Sequence, residues 1–235
     1  MTGTKERRRA DTECCAVAHT QVVEDYLKTI FGLAGRSAHV TTSGLAAELG
    51  VAAPTVSAML KRLEAGGLVR RTGDHRVELT EHGTRHALGV VRRHRLLEVF
   101  LVQVLQVPWD EVHAEAEVLE HALSPRLEER IDALLGHPSR DPHGDPIPPA
   151  RGEHVEDWAT PLAVAPAGSR FDVERVSDRD SEVLRHLASI GVRPGAVLLV
   201  REWGPFGGPL WVEINGCRHA LGSGLVAAVH GRVQA

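Results

Sequence analysis

From Gln21 to Leu33 the apolar residues Val22, Val23, Tyr26, Leu27, Ile30, Phe31 and Leu33 return at helical spacing, which predicts an amphipathic helix with Gly35 as its C-cap. The next stretch, VTTSGLAAELGVAAPTVSAMLKRLEAGGLVRR, reads as two short helices, Ser43 to Leu49 and Ala53 to Ala65, joined by Gly50-Val51. That is the spacing of a helix-turn-helix. After Gly66-Gly67, the segments Leu68 to Arg71 and Arg76 to Leu79 flank Thr72-Gly73-Asp74-His75, a turn that suits a reversal between two strands and would make the hairpin a wing.

The middle of the chain keeps a helical rhythm. Thr80 can cap a long helix to about Val107, Pro108 can open another through Leu123, and Ser124-Pro125 starts a third through about Leu135. Residues 138–168, beginning PSRDPHGDPIPPARG, hold seven prolines and little periodicity, which predicts an interdomain linker. Beyond it FDVERVS, AVLLVREW, LWVEI and LVAAVHGRV are short β-like runs, interrupted by a helix from about Ser181 to Ile190 that Gly191 can end; a small β-barrel is the natural closure. The expected fold is mainly α with small β: an arm over 1–19, a winged helix-turn-helix domain over 20–80, a helical domain over 81–137, the linker over 138–168, and a β domain over 169–235.

Composition adds limits rather than a function. At 235 residues the chain has room for two or three cores, and with 43% hydrophobic and 25% charged residues it is ordinary for a globular protein. No apolar stretch approaches the ~18 residues of a membrane span, so no membrane partner is expected. The start, MTGTKERRRADTECC, has basic residues with no apolar run behind them, and is expected to be a disordered arm rather than a secretory signal. The three cysteines, Cys14, Cys15 and Cys217, form neither a disulfide framework nor a zinc-ribbon spacing, which points to a reducing, cytoplasmic setting. A net charge of −4 does not advertise a nucleic-acid binder; the case for DNA rests on the helix-turn-helix.

Chemistry is concentrated in the helical domain. In RRHRLLEVF, His94 and Glu98 stand one helical turn apart, and in VHAEAEVLEHALS, His113, Glu117, Glu120 and His121 fall at i, i+4, i+7 and i+8. An apolar stripe runs separately through Val112, Ala116, Leu119 and Leu123, so the His and Glu face is left to be solvated or to coordinate. For one such pair a solvated face is the ordinary explanation. Six ligand-type residues on consecutive helices favour coordination. Carboxylate oxygens and imidazole nitrogens with no thiolate suit Mn²⁺, with Fe²⁺, Co²⁺ or Zn²⁺ as alternatives.

Taken in order, the winged helix-turn-helix, HRLLE on a long helix, HAEAEVLEH on the next and the DPHGDPIP linker resemble the diphtheria toxin repressor family over roughly residues 20 to 150, most closely its manganese-dependent branch. The resemblance implies a metal-dependent transcriptional repressor that binds a palindromic, double-stranded DNA operator as a homodimer, is not an enzyme and takes no small organic substrate. It implies a primary metal site of Asp25, Glu117, Glu120 and His121, with His94 drawn in by the manganese-type members. An ancillary site of His94, Glu98 and His113 would be joined in some members by two ligands from the C-terminal domain. Those two positions fall at Arg175 and Asp178, so Asp178 is the expected donor, with Glu174 its near neighbour. Where iron-type members have methionine and cysteine, this chain has Asp25 and Glu117, and hard donors point to manganese. Lys28 stands where one subset has a second carboxylate and argues against a bridged pair of metals. The C-terminal segment, through HLASIGVRPG, is similar to the SH3-like barrel related to ferrous-transport accessory (FeoA-like) proteins.

The same resemblance places Thr55, Ser57 and Lys61 on the DNA backbone and Ala52, Pro54 and Ala58 at base edges, with Thr42, Ser43 and Arg62 beside them. Leu119, Leu123 and Ile131 would lie in the dimer interface. An iron-dependent regulator of the same family is the nearest alternative. A metallohydrolase is another, though no HExxH, nucleophile elbow or phosphate loop is present, and a metal-independent DNA-binding module is a third.

Overall fold

The computed structural model describes residues 20–36, 39–73, 76–150, 154 and 159–234. Cys14, Cys15, the basic arm, and Asp74 and His75 of the expected wing turn lie outside the described residues. The chain divides into two compact units: the first holds the described residues up to Arg92 with those of the 148–154 segment, and the second holds Arg93–Ile147 and the described residues from 155 onward.

In the first unit α1 (Gln21–Arg36) buries Val23, Tyr26, Leu27 and Ile30, the apolar face read from its spacing. It runs through Gly35 to Arg36, whose guanidinium pairs with Glu48 at 3.1 Å. In α2 (Thr42–Leu49) the Thr41 hydroxyl accepts the Gly44 N–H at 3.1 Å, and Gly50 ends the helix at φ +64°, a conformation that a residue with a Cβ rarely adopts. Four residues later Pro54 sits in the first turn of α3 (Ala53–Ala65), where a missing N–H costs nothing. Leu45, Val56, Leu60 and Leu63 close the core between them. Strands β1 (Val69–Arg71) and β2 (Val77–Leu79) pair antiparallel with Val69 opposite Leu79, which is the expected wing. The Thr80 hydroxyl accepts from the Gly83 N–H at 3.0 Å and starts α4 (Glu81–Gln103).

In the second unit the C-terminal half of α4 buries Leu96, Leu97, Val99 and Leu101. The helix ends at Gln103, short of Val107, because Gln106 turns the backbone at φ +59° and its amide donates to the Gln103 carbonyl at 2.9 Å. Pro108 opens only a turn; α5 is the shorter Val112–Leu119, so Glu120 and His121 lie just beyond it. Ser124 caps α6 (Pro125–Leu134) as expected. The proline-rich run is ordered over Ser139–Ile147: Arg140 bridges to Pro146, the Ile147 N–H donates to Ser139 at 2.9 Å, and Asp141, His143 and Asp145 are buried.

The C-terminal part of this unit contains β3 (Thr160–Pro161), β4 (Arg170–Val176), α7 (Ser181–Ser189), β5 (Val197–Trp203), β6 (Leu210–Ile214), β7 (Cys217–Leu221), α8 (Ser223–Ala228) and β8 (Val229–Val233). The strands form one sheet in the order β3-β8-β4-β5-β6-β7 around Phe171, Val173, Leu184, Leu187, Leu198 and Val212. This corrects the expectation of an SH3-like barrel: the sheet is open, and its edge strands β3 and β7 do not pair. Closure would need a ladder between those edges, but β3 has two residues, one a proline without an N–H. The Leu225–Ala228 part of the run read as a strand is instead helical, in α8, which packs against β3, β7 and β8. Strand β7, with alternation too polar to stand out, was not anticipated.

Candidate metal centre

All groups described in this cluster belong to the second unit. Helix α4 supplies His94 and Glu98, both buried, on the face turned to α5. His94 lies among three carboxylates: its Nδ1 is 2.5 Å from Glu120 Oε2 and 3.9 Å from Glu117 Oε1, and its Nε2 is 3.1 Å from Glu98 Oε1. The three residues His94, Glu117 and Glu120 each offer a ligand atom within 4.8 Å of one another. Glu120 is fully buried, and its carbonyl accepts from Arg93 Nε at 2.9 Å, so a cation anchors the backbone at the point where the helix stops. His121 Nε2 approaches Glu120 Oε1 at 3.5 Å. Asp25 lies on α1, in the first unit, and is half-buried.

A second grouping starts from the same α4 residues. His94, Glu98, His113 and Asp178 converge within 4.8 Å. His113 Nδ1 is 3.0 Å from Asp178 Oδ2 and 3.3 Å from Glu98 Oε1, while its Nε2 is 3.5 Å from Glu117 Oε1. Glu98 also belongs to a grouping with Asp141 and His143. Neither of these was singled out from sequence. Both stand in the proline-rich run, where no periodicity marks a face; the only signal was a histidine flanked by aspartates, DPHGD. Near Asp178, Glu174 pairs with Arg232 at 2.9 Å, and Arg175, at the other aligned ligand position, pairs with Asp145 at 2.8 Å. Asp178 alone joins the cluster.

The loop carrying His143 is shaped by its own residues. Asp141 Oδ1 accepts the N–H groups of His143 and Asp145, both at 2.9 Å. Arg95 contacts Asp145 at 3.4 Å and Asp141 at 3.9 Å, compensating two buried carboxylates. Gly144 holds φ +95°, and a Cβ there would stand 1.9 Å from the Glu174 carbonyl oxygen, so only glycine lets the loop lie this close to β4.

Proton affinities follow this geometry. Burial raises the carboxyl of Glu98, but His94, His113 and His143 around it outweigh burial and hold it well below the ordinary range. Asp178 is likewise lowered against its burial, chiefly by the hydrogen bond from His113. Burial would lower His113 and His143; the carboxylates of Asp178 and Glu98 raise His113 to about 10, and those of Glu98, Asp141 and Asp178 raise His143 to about 9. Asp141 is pushed well above its usual value by burial and by the neighbouring Asp145 and Glu98 charges. Protons thus occupy positions that a divalent cation would contest. Fit to such a cation is supported by two buried atoms without a hydrogen-bond partner, Glu98 Oε2 and His143 Nδ1, both in one oxygen and nitrogen donor set.

In the first unit α3 presents an exposed end: Ala52, Ala53, Pro54, Thr55, Ala58, Lys61 and Arg62 are exposed and Ser57 is half-buried. On α2 Ser43 is exposed and Thr42 half-buried. Arg71 on the wing donates to the Ser57 carbonyl at 3.3 Å, tying β1 to α3. Among the described residues no single helix is long and apolar enough to cross a membrane.

Three family models match successive stretches of the chain. Residues 19–77 match the iron-dependent repressor N-terminal DNA-binding domain, residues 80–149 the iron-dependent repressor metal-binding and dimerisation domain, and residues 160–233 the FeoA domain. The chain is 38% identical over 199 residues to the iron-dependent repressor IdeR of Mycobacterium tuberculosis, covering 79% of this chain and 85% of that one. It is 36% identical over 125 residues to the diphtheria toxin repressor of Corynebacterium diphtheriae, covering 53% and 55%. A solved manganese-dependent transcriptional repressor in complex with manganese superposes with a TM-score of 0.84 at 45% identity, covering 90% of this chain and 99% of that one. The chain belongs to the diphtheria toxin repressor family of metal-dependent repressors. It is a metal-dependent transcriptional repressor with a divalent-cation cofactor, in a family of DNA-binding proteins rather than enzymes.

Proposed function

We propose that this repressor responds to manganese and acts in the cytoplasm as a homodimer on a palindromic operator. The observation that carries the choice of metal is the donor set at His94, Glu117 and Glu120, carboxylate and imidazole with no sulfur. The likeness to a repressor solved with manganese supports it, whereas the iron-dependent name of the mycobacterial relative keeps Fe²⁺ as the reading to test against.

Glu117, Glu120 and His121, with His94, would hold the activating cation, and Asp25 is proposed as their ligand from the winged-helix unit. Glu98, His113 and Asp178, joined by Asp141 and His143, would hold a second. The cation supplies positive charge that offsets the carboxylates. What the protein contributes is the orientation of each donor and the exclusion of water around Glu98 and Glu120. Thr55, Ser57 and Lys61 would contact DNA phosphates and Ala52, Pro54 and Ala58 base edges, with Thr42, Ser43 and Arg62 flanking them. A groove lined by Leu97, Phe100, Leu119, Leu123, Leu127, Ile131 and Leu134 leaves Leu119, Leu127 and Leu134 exposed, and this apolar surface suits a second copy of the chain.

The test is operator affinity at fixed salt, measured by fluorescence anisotropy with Mn²⁺, anaerobic Fe²⁺ or Zn²⁺ added to chelated protein. Tightening at lower free Mn²⁺ than Fe²⁺ is expected, and Glu117→Ala should abolish metal-dependent binding while leaving a folded dimer. Unchanged metal dependence in that variant would overturn the assignment.

A further inference from the structure

Trp109, in the turn before α5, holds His143 in two ways. Its indole Nε1–H donates to the carbonyl of Pro142 at 2.9 Å, fixing the backbone one residue before the histidine. Its own carbonyl oxygen lies 2.9 Å from His143 Nε2. A carbonyl can only accept, so Nε2 keeps its proton whether the ring is charged or neutral. Nδ1 is then the nitrogen left for a ligand, and it is the atom that faces Glu98 Oε1 at 3.8 Å without a hydrogen-bond partner. The indole and imidazole rings lie 5.2 Å apart.

Trp109 is itself fixed by the C-terminal sheet. It is 8% exposed and belongs to the same apolar core as Phe171, Leu184 and Leu198, and the Arg193 guanidinium sits 4.8 Å from its ring. The next residue, Asp110, pairs with Arg185 of α7 at 3.5 Å. A continuous set of contacts therefore runs from the sheet through Trp109 to His143.

We infer that Trp109 is the positioning residue for the buried Glu98 and His143 cluster, setting the tautomer and aim of His143 and so making cation affinity there depend on the C-terminal sheet. The inference rests on the proposed reading of that cluster as a cation site. Outer partners of this kind, when removed, commonly weaken a site by about 10- to 100-fold.

The test uses the full chain stripped by chelator and titrated with Mn²⁺, free ion being read by electron paramagnetic resonance, in a Glu117→Ala background that isolates the buried cluster. Trp109→Phe keeps an aromatic ring in the core but loses the Nε1–H bond to Pro142. It should weaken Mn²⁺ binding by about tenfold or more, and should have no further effect once His143→Ala is present. Unchanged affinity in Trp109→Phe overturns the inference, as does an equal loss with and without His143, which would mark a packing effect. If His143→Ala alone leaves affinity intact, the cation-site reading itself fails, and that control shows it without reference to Trp109. Should Trp109→Phe not fold, 5-fluorotryptophan in the otherwise unaltered chain decides the matter. The Trp109 ¹⁹F resonance, assigned by replacing Trp158, Trp203 and Trp211 in turn, must shift as the buried cluster fills; a resonance that does not move overturns the inference.

Discussion

Two histidine and carboxylate clusters share helix α4 and are built by opposite means. One draws His94, Glu117, Glu120 and His121 from α4, α5 and the turn just after α5, and Glu117 keeps a side chain 39% exposed. The other gathers Glu98, His113, Asp141, His143 and Asp178 from two helices, the proline-rich loop and the segment after β4, and the side chains of Glu98 and His143 are fully buried. In the first cluster Glu117 is the one side chain left to water, with His94, Glu120 and His121 buried or nearly so, and a carboxylate left to water costs little to place. A buried one must be electrically balanced even before a cation arrives, so it bears on stability as well as on binding.

The largest expected consequence is at Glu98. Glu98→Gln leaves His94, His113 and His143 facing a buried neutral amide, and should destabilise the chelated protein by about 3–5 kcal/mol, the usual cost of removing one partner of a buried charge pair. Denaturant unfolding checks this; a loss below 1 kcal/mol would erase the proposed contrast between the clusters. Acidity should sharpen the contrast next. His113 and His143, raised to about 10 and about 9 from 6.5, contribute stability that is fully present below pH 6.5 and lost as pH rises through those values. Asp141, pushed up, works in the same direction, while Glu98 and Asp178, pushed down, contribute stability that is lost only as pH falls into the acid range. The melting temperature of chelated protein should therefore fall steadily from pH 6.5 to 10. Mn²⁺ affinity of the buried cluster should meanwhile rise by about tenfold per pH unit for each proton displaced. Stability that climbs over this window would contradict the assignment of charges. The smallest effect is expected at Glu117, where Glu117→Gln should change unfolding free energy by no more than about 0.5 kcal/mol, as at an exposed site.

How far each cluster could be read in advance follows from this difference. His94, Glu98, His113, Glu117, Glu120 and His121 were visible because helical spacing puts residues three and four apart on one face. Asp178 and Asp25 came only from family resemblance. Asp141 and His143 were passed over, because PSRDPHGDPIPP has no period and composition alone marks it as a linker. The open sheet was missed for a related reason: a strand of two residues and a polar edge strand carry too weak an alternation to register, and Leu225–Ala228 is as compatible with a buried strand as with the helix it forms.

The sequence by itself determined the helix-turn-helix, the wing, the caps at Thr80 and Ser124, the ligand-type face of α4 and α5, and the absence of sulfur from it. Each is a local property, fixed by side-chain spacing or by one residue's backbone preference. Only the tertiary structure decided that the sheet stays open, that Ser139–Ile147 folds into the second unit, and that Trp109, His143 and Asp178 converge on Glu98. Those outcomes depend on long-range packing: Gly144 must fit against the Glu174 carbonyl, and Arg95 must reach Asp145, before the buried charges balance.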